Sequence, residues 1–450
     1  MKSYYLISLG CPKNLVDSQG IATLLQRAGF EPAPAPEEAD LLIVNTCGFI
    51  ESAREESRAV LRELIESKQP GQEVVAAGCY SQRFPSQLTE DVPGIDGLIG
   101  TRRWMDILEL VEKLEERVRL GQPSGPAYHV PNVPTVGQDT QDVVRAVSQG
   151  ASAYLRVSDG CRRACAFCAI PLIKGPAVSR PPGDILADAR LLAEVGTKEI
   201  ILIGQDTTDY GYDLGTETGL AGLLEELVKE IPQVPWIRLM YAYPGHIGSR
   251  LIETMARHEQ ILPYLDLPLQ HAHPEVLRRM RRPTAVERVK GTIASLRQAM
   301  PNIAIRTTFL VGYPGETDEA FEALLRFVEE MRFDRVGVFT YSEEEGTAAA
   351  ELEDDVPPEV KEDRRDRLMA VQQPISLAQN RALVGKTLDV LIEGQDEGIS
   401  AGRSYRDAPE VDGLVLVQRA LPVGEIVPLH IVSALEYDLI AETPTGPEGP

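Results

Sequence analysis

The sequence predicts an α/β chain in three parts: an N-terminal doubly wound parallel sheet, a central partial barrel of six β/α units, and a small all-β barrel at the C-terminus. Three observations carry this. Apolar runs alternate with helical patterns from the start to about residue 384, which is how parallel sheets with crossover helices read. The alternation is interrupted at 121–138, a segment with four prolines and no helical period. From about residue 386 the chain switches to short β patterns separated by Gly and Pro.

In the first part, "YYLISLG" (4–10), "DLLIVNTCGF" (40–49) and "EVVAAGCY" (73–80) read as strands. "NLVDSQGIATLLQRAGF", a charged stretch to about Lys68 and "RRWMDILELVEKLEERVRL" (102–120) read as helices. The expected divisions are 1–120 for this unit, 121–146 for a linker, 147–376 for the core and 377–445 for the β module. Core strands are expected at 153–158, 199–204, 236–242, 264–270, 303–312 and 335–342. Six units fall short of the eight that close a full barrel. A helical stretch, 358–384, leads out of the core towards "KTLDVLIEG", "GLVLVQRA" and "EIVPLHIVSALEYDLIAE".

The chain has 450 residues, 43% hydrophobic and 25% charged, so it is globular and long enough for two or three cores. No apolar run approaches the ~20 residues that span a bilayer, so no membrane role is expected. The start reads as a first strand rather than a secretion signal, which places the protein in the cytoplasm. A net charge of −23 opposes phosphate backbones, so RNA binding is not expected to dominate, and it would attract a basic partner. Solubility alone also explains such a charge.

Six cysteines are sparse for this length, and yet three of them, Cys161, Cys165 and Cys168, follow C-x3-C-x2-C in "SDGCRRACAFCAIP". A structural zinc site closes with four ligands, and no His or fourth Cys lies near. An iron–sulfur cubane takes one thiolate per iron. Held by three, it leaves one iron open, and an open metal position is where a substrate can bind. Cys11, Cys47 and Cys79 each sit at the carboxyl end of an expected strand, beside a Gly or a turn. One such thiol would ordinarily be a small buried hydrophobe. Three at equivalent strand ends converge if the strands are neighbours, on the edge where parallel sheets bind ligands.

The triplet, with Phe167 before its last cysteine, resembles the radical S-adenosylmethionine (SAM) superfamily. That resemblance implies that the open iron chelates the methionine end of SAM, that Phe167 lies near the adenine, and that one-electron reduction yields a 5′-deoxyadenosyl radical. The two thiol trios together resemble the methylthiotransferases, over essentially the whole chain: an N-terminal methylthiotransferase domain, a radical SAM core and a C-terminal TRAM domain. The resemblance implies two [4Fe-4S] clusters, with the sulfur carried or relayed by the N-terminal one.

"SLGCPKNLVDS" (8–18), "GQDTTDYG" (204–211), "YLDLPLQHAHPEVLRRMRRP" (264–283), "RTTFLVGYPGET" (306–317) and "GRSYRDAPEVDG" (402–413) look like the ribosomal-protein branch. That implies methylthiolation of an aspartate β-carbon in protein S-twelve of the small ribosomal subunit, with a flavodoxin- or ferredoxin-like electron donor. Residues 377–445 hold five Lys/Arg against eleven Asp/Glu. RNA-binding β-barrels present a positive groove, so this module suits a basic protein better. The rival readings are the same chemistry on a transfer-RNA adenosine and a non-catalytic metal scaffold.

By the same resemblance, Gln205 and Asp206 would accept the SAM amino group, and Gly312 and Gly315 would let backbone approach the adenine. Each stretch also reads as an ordinary turn, the second with Thr317 as helix N-cap. His271 and His273 lie at the fourth core strand's end, with no metal role expected. The sequence departs from the family pattern at Ala169 and at Lys174-Gly175, where Lys174 replaces an Arg. A lysine there keeps the charge and lacks the planar fork for bidentate contacts.

Overall fold

The computed structural model describes residues 1–120, 125–133 and 143–444. Two parallel sheets and a closed barrel follow one another along the chain.

The first sheet comprises β1 (Ser3–Ser8), β2 (Glu31–Pro32), β3 (Leu41–Thr46), β4 (Glu73–Gly78), β5 (Gly97–Gly100) and β6 (Ala127–His129), in the order β2-β1-β3-β4-β5-β6. Every pairing in it is parallel. β3 is buried at all six positions, as a central strand covered by helices on both faces must be. Its unbroken apolar run, with no alternation, follows from that. β5 and β6 lie outside the three expected strands. β6 falls inside the stretch read as a linker, of which residues 121–124 and 134–142 lie outside the described residues. As an edge strand it pairs on one side only, so neighbouring prolines are tolerated there. The helix expected over 102–120 begins as a 3-10 turn, Thr101–Asp106, and is regular over Ile107–Leu120.

The second sheet holds β7 (Ala146–Gln149), β8 (Ser152–Arg156), β11 (Glu199–Ile203), β12 (Trp236–Leu239), β13 (Ile261–Asp266), β14 (Ala304–Val311) and β15 (Arg335–Thr340). Between β8 and β11 runs a short antiparallel ribbon of β9 (Ser158–Asp159) and β10 (Val178–Ser179). Six parallel strands follow in sequence order, and β7 adds an antiparallel edge that the pattern did not suggest. β13 starts three residues before its expected position and ends before Pro268. That proline cannot donate to a ladder, and beyond it Gln270 keeps one bridge, to Phe309. The largest hydrophobic core lies between this sheet and its helices.

The helix Pro358–Arg381 carries the chain to β16 (Thr387–Asp396), β17 (Ile399–Ser404), β18 (Val415–Val417), β19 (Ile426–Ala434) and β20 (Leu439–Glu442). These close into a barrel, β16-β17-β18-β20-β19. It docks where the core strands begin. Arg403 Nη2 meets Glu199 Oε2 at 2.6 Å, and Glu199 Oε1 accepts from Arg238 Nε at 2.6 Å. Arg335 Nη2 donates to Asp407 Oδ1 at 2.6 Å, and Tyr264 OH to Asp412 Oδ2 at 2.7 Å. The segment "GRSYRDAPEVDG" therefore plugs the base of the partial barrel. No helix among the described residues is long and apolar enough to cross a membrane.

Candidate functional site

β1, β3 and β4 are neighbours, so their carboxyl ends share one edge. Cys11 follows β1 and caps the helix Pro12–Arg27 in an extended conformation. Cys47 directly follows β3, and Cys79 follows β4 and opens a short helix. Close approach is built into the glycines beside them. A Cβ on Gly10, whose φ is +88°, would sit 2.9 Å from Cys47 Cβ, and one on Gly78 (φ +99°) would sit 2.3 Å from Asn45 Oδ1. Asn14 ties the strand ends together: its amide nitrogen donates to Leu9 O at 2.9 Å and Thr46 O at 3.1 Å, and its Oδ1 faces Cys79 Sγ at 3.5 Å. Asn45 in turn donates to Asn14 O at 2.8 Å. Neither asparagine was singled out from the sequence, although each lies within three residues of a motif cysteine.

The second trio lies on the loop that joins β9 to β10. Cys161 N donates to Gly175 O at 3.1 Å and Cys168 N to Cys165 O at 3.1 Å, which winds the loop around the thiols. Arg163 N donates to Cys161 Sγ at 3.4 Å, and Arg282 Nη1 approaches Cys165 Sγ at 3.8 Å.

Both trios line one cavity of about 390 Å³, together with Phe167, Gln205 and Asp206. Gln205 Oε1 is buried there without a protein partner, an acceptor left open for a ligand. One Asp206 oxygen accepts from Arg163 Nε at 2.9 Å and the other from Thr208 Oγ1 at 2.6 Å. Gly312 and Gly315 do not reach the cavity. A Cβ on Gly312 would strike the Lys361 stem at 2.2 Å, and one on Gly315 the Arg279 guanidinium at 1.9 Å. Their positive φ serves close packing of those side chains, and Thr317 caps the next helix by accepting from Ala320 N at 3.2 Å. His271 is fully buried away from the thiols and its Nδ1 accepts from His273 N at 2.9 Å.

The thiols of each trio stand wider apart than the ligands of a single tetrahedral ion would. Tetrahedral zinc with bonds of about 2.3 Å brings its sulfurs to about 3.8 Å from each other. Neither trio gathers its thiols within 4.8 Å; among the described residues the set that does so is Asp106, Glu109 and His129. Burial pushes the thiol of Cys79 up to about 12, that of Cys161 to about 11 and that of Cys168 to about 12, and raises Cys47 as well. Metal loading must therefore expel protons from these thiols.

Lys13 enters the same cavity from the first domain. Its ammonium stands 2.9 Å from the centroid of the Tyr241 ring. Burial lowers it to about 8; the Cys11 charge opposes that, and Arg156 reinforces it. Lys174 crosses the other way, from core to first domain, and donates to Asp17 Oδ2 at 2.8 Å and to Thr101 Oγ1. A point charge meets two separate acceptors there, and no planar fork is needed. Glu344 locks the rim, accepting from Arg54 Nη1 at 2.6 Å and Arg83 Nη1 at 2.9 Å.

Comparison with known proteins agrees with this architecture. Residues 155–328 match the radical SAM superfamily, residues 3–100 the Uncharacterized protein family UPF0004, and residues 384–443 the TRAM domain. A ribosomal protein uS12 methylthiotransferase RimO from Chloroflexus aurantiacus is 50% identical, over 98% of this chain and 99% of that one. The chain belongs to the RimO family of methylthiotransferases. The RimO protein of a Synechocystis species is 46% identical over 97% of this chain and 96% of its own. Among solved structures, the radical SAM methyltransferase TsrM from Kitasatospora setae, with cobalamin and a [4Fe-4S] cluster bound, superposes with a TM-score of 0.56. It is 15% identical, over 89% of this chain and 77% of its own, and shares the fold. As a RimO-family member with a radical SAM core, the protein is an enzyme that uses SAM with a [4Fe-4S] cluster.

Proposed function

We propose that this enzyme methylthiolates the β-carbon of an aspartate in ribosomal protein uS12, with Cys161, Cys165 and Cys168 holding one [4Fe-4S] cluster and Cys11, Cys47 and Cys79 a second. The observation that carries the reading is that both trios open into one cavity. A carbon bound there is within reach of a radical made at one wall and of sulfur delivered from the other. When bound, these groups supply one-electron cleavage of SAM and a sulfur source. The chain's own part is positioning. Gln205 offers its free acceptor to the methionine end of SAM, and Phe167 lines the wall beside Cys168. Units 1–120 and 147–376 contribute one trio each, and 377–445 faces the protein substrate.

The TRAM barrel keeps an acidic exterior. Arg403, Arg406, Asp407 and Asp412 are buried in its contact with the core. That removes two charges of each sign, and an excess of six acids remains on the rest. Such a surface favours a basic protein over RNA and speeds encounter more than it tightens binding. The reading places the enzyme in the cytoplasm, supplied by a flavodoxin- or ferredoxin-like donor.

The test is anaerobic reconstitution with iron and sulfide, followed by incubation with SAM, reductant and small ribosomal subunits, or with transfer RNA. A methylthio group on a uS12 aspartate is the expected product. Modification of transfer RNA alone would overturn the substrate assignment. Cys161→Ser is expected to abolish 5′-deoxyadenosine formation. Cys79→Ser is expected to retain it and lose methylthio transfer.

A further inference from the structure

Four cationic side chains line the cavity, and three are committed. Arg163 is held by Asp206 and Asp209, both at 2.9 Å. Lys174 is held by Asp17 and Thr101. Arg282 donates to Pro268 O and approaches Cys165 Sγ. Lys13 differs. It is 8% exposed; among the described residues its ammonium has no hydrogen-bond or ion-pair partner, and it stands over the face of Tyr241. Asp266, the nearby carboxylate whose charge it feels, is already occupied by Arg306 Nη1 at 3.0 Å and by Tyr241 N at 3.1 Å.

A buried ammonium without a counter-ion is costly. A cation over an aromatic face spends one side of the ammonium and leaves N–H donors pointing elsewhere. Lys13 also sits in the first turn of the helix Pro12–Arg27; that turn carries no acidic residue, so the positive end of the helix adds to its field. Beyond the Cys11 thiolate, whose charge acts on Lys13 without a hydrogen bond, this corner favours a further anion to take the ammonium's open N–H donors.

We propose that Lys13 is the binding residue for the carboxylate of the substrate side chain. This rests on the reading above that the substrate is an aspartate. The ammonium takes the carboxylate against the wall formed by the first domain, beside Cys11. The β-carbon, one bond from the carboxyl carbon, is then held inside the cavity shared by both trios. A neutral side chain of the same shape would leave Lys13 unpaired, so the contact also sets specificity for an acid over an amide. The methionine carboxylate of SAM is the other carboxylate available to this cavity, and the experiment separates the two.

The reconstituted holoenzyme and its Lys13→Met variant, whose stem keeps the packing on Tyr241, are compared for iron content, SAM dissociation constant and uS12 dissociation constant. The same uS12 measurements are repeated with uS12 carrying Asn at the modified aspartate. Lys13→Met is expected to weaken uS12 binding roughly 10- to 100-fold, the worth of a hydrogen-bonded charge, while iron content and SAM affinity hold. Against the Asn protein, wild type and variant should bind alike. Lys13→Arg should recover part of the loss. Several results would overturn the proposal: a loss of SAM affinity in Lys13→Met, a loss of its iron, unchanged uS12 affinity, or a penalty equally large against the Asn protein. If the wild-type enzyme modifies no uS12 aspartate, the functional reading fails and takes the proposal with it. If wild type modifies uS12 and Lys13→Met binds it equally well, the proposal alone fails.

Discussion

Gly10 shows how much of the site rests on single atoms. Its positive φ and the 2.9 Å that a Cβ would leave to Cys47 Cβ exclude any side chain without movement. Strain of this kind typically costs 1–3 kcal/mol and would fall on the Cys11–Cys47 geometry. Gly10→Ala is expected to lose roughly half of the reconstituted iron, because a cubane needs all its thiolates in register. The trio at 161–168 should stay loaded. Iron analysis with electron paramagnetic resonance checks this, and full loading of both trios would refute it. Cys161, Cys165 and Cys168 were legible by spacing, and Cys11, Cys47 and Cys79 by their place at expected strand ends. Lys13 and Asn14 were not, because a lysine or asparagine two or three residues after a cysteine carries no signal until its partners across the sheet are known.

Strands and helices carry their own predictions. Glu73 opens β4, and burial, with Asp96 beside it, lifts its carboxyl to about 7 from an ordinary 4.5. The folded state therefore holds this proton more tightly than the unfolded chain. The stability it contributes is full below about pH 4.5 and is lost as the pH rises through about 7. Glu73→Gln should raise the melting temperature at pH 8 and leave it nearly unchanged at pH 4.5, as read by calorimetry at both. The Thr317 cap is a second case. Thr317→Ala should cost the helix Asp318–Met331 about 1 kcal/mol, visible as faster amide exchange in its first turn. The expected elements were recovered where an apolar run lasted several residues, as in β3 and β11. β5 and β6 are too short to show a period, and β7 is an edge strand specified by its pairing with β8.

Over the whole molecule, the first domain covers the carboxyl ends of the core strands and the TRAM barrel closes their amino ends. Glu199 holds the lower joint. Burial alone would raise its carboxyl, but Arg238 and Arg403 bring it down to about 2. Its contribution is present above about pH 4.5 and disappears as the pH falls towards 2. Glu199→Ala leaves buried Arg238 without its carboxylate and Arg403 with that of Glu393 alone, and should cost about 3–5 kcal/mol. Denaturant unfolding should shift accordingly, and limited proteolysis should release the TRAM barrel sooner. An unchanged digestion pattern would mean that the joint rests on other contacts. The plug segment buries two charges of each sign against the core, so the acidic excess read from residues 377–445 stays on the rest of that module.

The order of strands and helices, the C-x3-C-x2-C triplet and the acidity of the chain were written in residues close together along the sequence. Alternation, capping and ligand spacing act over a few residues, so they can be read locally. Three things emerged only in the folded molecule: the meeting of both trios in one cavity, the withdrawal of Gly312 and Gly315 from it, and the burial of 402–413 beneath the barrel. Each depends on groups tens or hundreds of residues apart, such as Lys13 over Tyr241 or Arg403 on Glu199. Which charge ends paired and which is left open is decided by the packing of one domain against another, and it left Lys13 without a counter-ion.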